Sequence, residues 1–164
     1  MIIKNAEVFT ENNVFEKKDI YIDGELFSEN KNNYSTIIDG TDCYLIPGLT
    51  DIHFHGCAGF DFCDGTEESI QAIADYEASI GVTTIVPATM TFNENKLLQI
   101  ANVAKNHKNE YGAILCGINM EGPFISMEKK GAQNGEYIHK PDADMFYRFQ
   151  KAANGLVKLC DIAP

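Results

Sequence analysis

Apolar positions in the first 46 residues come in short runs of β-branched and aromatic character: "IIKNAEVF", "KDIYIDGELF" and "STIIDGTDCYLI". Runs of this length and composition predict β-strands. The Asp-Gly pairs at 23–24 and 39–40 predict tight turns between them. Pro47-Gly48 then breaks the pattern and marks a boundary.

Beyond that boundary the rhythm changes to strand, helix, strand, helix. "LTDIHFH" reads as a strand, and "TEESIQAIADYEASIG" as a helix with Thr66 as its N-cap. Ile70, Ile73, Ala74 and Ile80 give that helix its apolar spacing, and Gly81 closes it. "VTTIVPATM" predicts a buried strand, "NENKLLQIANVAKNH" a helix, and "AILCGINMEGPF" a third strand. After a Lys- and Gly-rich loop, "DADMFYRFQKAAN" predicts a helix ended by Gly155, and "LVKLCDIAP" a last strand. Non-alternating apolar strands separated by helices imply a parallel sheet covered by helices. A closed eight-stranded barrel takes ~250 residues. Residues 47–164 therefore suit either an open α/β sheet or the front of a barrel.

Charge and composition narrow the classes of function. Of 164 residues, 45% are hydrophobic and 23% charged, as in an ordinary globular protein. A formal net charge of −11 disfavours nucleic acid and anionic membrane surfaces as partners. The five cysteines are odd in number and contain no Cys-x-x-Cys pair, which predicts reduced thiols and a cytoplasmic setting. The N-terminus has no basic-then-apolar leader, and no apolar run approaches the ~18 residues of a membrane span.

Three stretches carry chemistry. In "LIPGLTDIHFHGCAGFD", His53 and His55 would share one face at the end of a buried strand. That is where parallel α/β sheets place their sites; converging imidazoles suit a metal, and taken alone they equally suit two polar residues where a strand meets water. Asp51, two residues earlier, is placed to orient an imidazole, and the glycines of "GCAG" admit close backbone approach. In "NMEGPF", Glu121 lies where the third strand runs out, either as a carboxylate beside a cation or as a glutamate exposed at a turn. "SMEKKGAQNGEYI" is a Lys-Lys-Gly loop suited to an anion or polar ligand, or simply to solvent. His107, expected in a polar helical surface, and His139, in a loop before Pro141, are not recruited to the site.

"PGLTDIHFHG", "IGVTTIVPATMT", "INMEGPFIS" and "KKGAQNGEYI" together resemble the consecutive motifs of the N-acetylglucosamine-6-phosphate deacetylases of the amidohydrolase superfamily. The first is shared across the superfamily, whereas Glu-Gly-Pro-Phe followed by Lys-Lys-Gly-Ala is specific to the sugar deacetylases. The resemblance implies an α/β fold, the first half of a (β/α)8 TIM-type barrel at 47–164, preceded by strands of a small β-sandwich domain at 1–46. It implies Glu121, His53 and His55 as ligands of a divalent metal ion such as zinc, and Ala132 and Gln133 as contacts to the sugar. The family usually has histidine where this chain has Gln133, and glutamine carries no proton or positive charge.

The activity implied is removal of the acetyl group from N-acetylglucosamine 6-phosphate by a cytoplasmic, homodimeric, metal-dependent hydrolase. The remaining ligands and the catalytic aspartate are expected beyond Pro164, so no catalytic residue is assigned within the chain and residues 1–164 alone are expected to be inactive. The alternatives are another amidohydrolase, acting on a cyclic amide or deaminating a base, and a truncated non-catalytic assembly protein. The Lys129-Lys130-Gly131 loop favours the sugar deacetylases over the other amidohydrolases.

Overall fold

The computed structural model describes residues 1–30 and 34–163, in two compact units, Met1–Pro47 and Gly48–Pro164. Pro164, the end of the last predicted strand, lies outside the described residues.

In the first unit, β1 (Ile2–Phe9) is the hub of a five-stranded sheet. β2 (Phe15–Asp23) pairs with it antiparallel, and β3 (Leu26–Phe27) pairs antiparallel with β2. β4 (Ile37–Asp39) and β5 (Tyr44–Leu45) both run parallel to β1, against its first and last residues respectively. Both Asp-Gly pairs lie at the ends of strands. Gly40 is required by space: a Cβ there would fall 2.9 Å from Ala6 Cβ and 3.0 Å from the Lys4 carbonyl. Ile2, Ala6 and Val8 of β1 are buried, whereas Phe15, Leu26, Phe27, Ile37 and Tyr44 remain exposed.

The second unit is an α/β fold. β6 (Leu49–Asp51) is followed by a hairpin of β7 (Gly56–Cys57) and β8 (Phe60–Asp61), then by α1 (Glu67–Ser79) and β9 (Val82–Ile85). α2 (Glu94–Ala104) leads to β10 (Ile114–Leu115) and β11 (Ile118–Met120), and α3 (Ala143–Ala152) leads to β12 (Val157–Cys160). β6, β9 and β10 pair in parallel, as do β11 and β12, and an isolated parallel bridge between Ala88 and Asn119 joins the two sets. Sequential parallel strands joined through helices are the β-α-β connections that the alternating pattern predicts.

Local chemistry explains the helix ends. Thr66 forms a capping box with Ser69, and Asn93 and Asp142 accept from the backbone N–H of Lys96 and Met145. Ile70, Ile73, Leu97, Ile100 and Phe149 bring the three helices onto Ile85, Ile118 and Met120 of the strands. Ile80, expected on the apolar face of α1, lies just past its end and is exposed. No described helix is long and apolar enough to cross a membrane.

Several segments depart from the sequence expectation: the strand predicted over 113–124 is split into β10 and β11, and that predicted over 82–90 ends at Ile85. The strand predicted through His55 ends at Asp51, and the chain bends at His53, with Val86 N–H donating to Asp51 O and Ala88 N–H to Phe54 O. The glycine at 56 serves the chain itself: a Cβ there would lie 2.1 Å from the Phe60 carbonyl oxygen across the hairpin. His107 is not on a polar helical surface. It follows α2 with its side chain fully enclosed, and Nδ1 lies 2.7 Å from Glu67 Oε1 at the start of α1.

Candidate metal centre

Three side chains from two chain segments meet at one end of the parallel strands. His53 and His55 are carried by the segment between β6 and β7, and Glu121 is the residue that follows β11. Glu121 Oε2 lies 3.0 Å from His55 Nε2 and 3.5 Å from His53 Nε2. One ligand atom from each of the three residues can be chosen so that all lie within 4.8 Å of one another. The two rings stand edge-on, with centroids 5.6 Å apart and planes at 83°. Side-chain exposures of 47%, 36% and 24% for His53, His55 and Glu121 leave the cluster open to solvent on one side.

The unsatisfied atoms fit a cation. Among the described residues, Glu121 Oε2 is buried without an aligned hydrogen bond despite the two nearby nitrogens, and His55 Nδ1 is buried without a partner. Two imidazole nitrogens and a carboxylate oxygen are the donor set of a borderline divalent ion such as zinc. A buried carboxylate oxygen without a partner is costly, and a cation between it and the imidazoles would remove that cost.

Asp51 does not orient an imidazole: its Oδ1 accepts from the backbone N–H of His53 at 3.0 Å. The ring is met instead by Asn119, whose Nδ2 lies 3.0 Å from His53 Nδ1 and donates to the Ile52 carbonyl at 3.2 Å. Asn119 was missed from sequence, although the signal was present. It lies on β11, two residues before Glu121 at that strand's end.

The Lys-Lys-Gly loop flanks this region. Gln133 is buried, accepts from Thr91 N–H at 2.6 Å and directs Nε2 at Met90 Sδ. Thr91 in turn abuts Gly122, where a Cβ would lie 2.1 Å from Thr91 Oγ1. Ala132 is exposed beside it. Lys130 turns back on its own loop, its Nζ donating to the Gln133 carbonyl at 2.8 Å, so this ammonium already has an acceptor. His139 is exposed, and its N–H donates to Pro123 O.

No protein-family model matches the chain. The N-acetylglucosamine-6-phosphate deacetylase of Bacillus subtilis (strain 168) is 32% identical over 175 aligned positions, covering 100% of this chain and 44% of that protein. The crystal structure of the N-acetylglucosamine-6-phosphate deacetylase from Thermotoga maritima matches with a TM-score of 0.76 at 25% identity, over 90% of this chain and 39% of the other. That of the enzyme from Pasteurella multocida matches in fold with a TM-score of 0.86 at 23% identity, over 98% of this chain and 44% of the other. The chain thus spans less than half the length of these relatives. Along its whole length it is related to the N-acetylglucosamine-6-phosphate deacetylases, and its extent fits an N-terminal part of them.

Proposed function

We propose that this chain contributes the first metal ligands of a hydrolase that removes the acetyl group from N-acetylglucosamine 6-phosphate. The observation that carries the proposal is the convergence of His53, His55 and Glu121 within 4.8 Å, in a chain related throughout to enzymes of that name. In this reading residues 47–164 form the first four β/α units of a TIM-type barrel, and residues 1–46 form part of a small β-sandwich domain. The consecutive parallel order of β6, β9, β11 and β12 supports the barrel.

A divalent ion at the cluster would supply Lewis acidity toward an amide carbonyl and toward water. The chain's own residues hold and orient. Glu121 brings a carboxylate to the centre from the position after β11, and the next residue, Gly122, packs closely against Thr91. His53 and His55 supply neutral nitrogen donors from the neighbouring segment. Ala132 and Gln133 form the loop wall on which the sugar rests. Gln133 has its oxygen committed to Thr91 N–H, so it shapes this wall more than it reacts. The parent enzyme is read as cytoplasmic and homodimeric. Residues 1–164 alone, holding three ligand groups and no assigned catalytic acid or base, are read as inactive.

Calorimetric titration with Zn²⁺ tests the centre, with expected binding by the native protein and its loss in Glu121→Ala. Deacetylation of N-acetylglucosamine 6-phosphate by the parent enzyme tests the substrate. Hydrolysis of a cyclic amide without hydrolysis of the sugar phosphate would overturn that assignment.

A further inference from the structure

Asn119 is 3% exposed, and it faces two neighbours with one nitrogen. A backbone carbonyl only accepts, so the contact with Ile52 O fixes which end of the carboxamide is presented there. The second hydrogen of the same Nδ2 then points at His53 Nδ1, which must offer a lone pair. A neutral imidazole with a lone pair on Nδ1 carries its proton on Nε2. That nitrogen is the one facing Glu121 Oε2. Metal-binding histidines ordinarily donate their other N–H to an acceptor, and here the neighbour is a donor. The opposite end of the amide, Oδ1, is buried without a partner among the described residues.

We propose that Asn119 holds His53 in the tautomer protonated on Nε2, and so sets how tightly the His-x-His position takes a cation. This rests on the metal-site reading above. Binding through Nε2 requires the ring proton to reside on Nδ1, where it meets the Asn119 N–H. Turning the amide would bring Oδ1 to that proton, but it would surrender the bond to Ile52 O and leave Nδ2 in the unpartnered position Oδ1 now occupies. Either arrangement sacrifices a hydrogen bond, so Asn119 opposes loading. It is a positioning residue acting through His53.

Long-range ¹H–¹⁵N spectra of the metal-free protein read the tautomer directly, and the expected pattern for His53 is Nε2 protonated with Nδ1 bare. Asn119→Leu removes the donor without adding charge, and it is expected to bind Zn²⁺ about tenfold more tightly in calorimetry. Asn119→Asp, which accepts at either oxygen, is expected to bind at least as tightly as Asn119→Leu. Thermal unfolding of both variants establishes that they are folded. A His53 spectrum with Nδ1 protonated, or folded Asn119→Leu binding no more tightly than native, overturns the proposal. If native protein binds Zn²⁺ no better than Glu121→Ala, the metal-site reading fails, and the tautomer spectrum alone then decides the role of Asn119.

Discussion

Nε2 of His55 lies 3.0 Å from Oε2 of Glu121, yet no aligned hydrogen bond joins them, and that carboxylate oxygen is buried. One atom comes from the segment between β6 and β7 and the other from the residue after β11. The interaction is one of shared direction, as between two ligands of a third body.

Replacing Glu121 by glutamine keeps its size and removes its charge. Losing an outer partner of a metal site typically costs about 10–100-fold in affinity, and losing a ligand is expected to cost more than about 100-fold. Calorimetry with Zn²⁺, or Co²⁺ absorption, checks this. An unchanged dissociation constant would separate Glu121 from the cation.

Gly122 has φ +74 and leaves no room for a Cβ, which would fall 2.1 Å from Thr91 Oγ1. Gly122→Ala is expected to destabilise the protein by about 1–3 kcal/mol through its left-handed backbone alone. The crowding against Thr91 adds to that. Urea unfolding measures the loss, and Thr91→Ala in the same background is expected to recover part of it.

The contact of His107 with Glu67 ties the end of α2 to the start of α1. His107→Ala removes an enclosed side chain and its 2.7 Å partner contact, and is expected to cost about 1–3 kcal/mol. A lower urea midpoint with unchanged slope is the expected signature. Zn²⁺ affinity at 25 °C should stay at the native value.

The cysteines differ in their chemistry. Burial pushes the Cys63 thiol up to about 12, reinforced by Asp61 and opposed by the Met90 N–H. Burial and then the nearby Glu77 raise Cys57 to about 11. Iodoacetamide at pH 8 is therefore expected to label the exposed Cys43 and Cys116 well before Cys63, as read by peptide mass mapping. The unfolded chain ionises its thiols from about pH 9, whereas folded Cys63 stays protonated until about pH 12. Stability contributed by the protonated thiol is thus present below pH 9 and is lost as pH rises through that window.

Much of this arrangement could be read from the residues. The capping residue Thr66 and the apolar spacing of Ile70, Ile73 and Ala74 placed α1, because these signals are local. The short motifs around His53, His55 and Glu121 indicated side chains that the fold indeed brings within 4.8 Å. What escaped was set by long-range partners. The strand carrying His53 stops at Asp51, because the hairpin folding back at Gly56 redirects the chain. His107 stands in a polar run, and its contact with Glu67, forty residues away, is not visible from the local sequence. Asn119 was overlooked because its meaning depends on the Ile52 carbonyl and the His53 ring, neither of which a single strand reveals.

The self-capping of the loop by Lys130 has a kinetic corollary. With its ammonium seated on the Gln133 carbonyl and Gln133 anchored to Thr91, the loop acquires its shape while the protein folds. Under the proposed function, a sugar arriving there meets Gln133 and Lys130 already held by hydrogen bonds, so less ordering entropy is lost in the encounter. Recognition on that side should accordingly be quick to engage and intolerant of ill-fitting shapes.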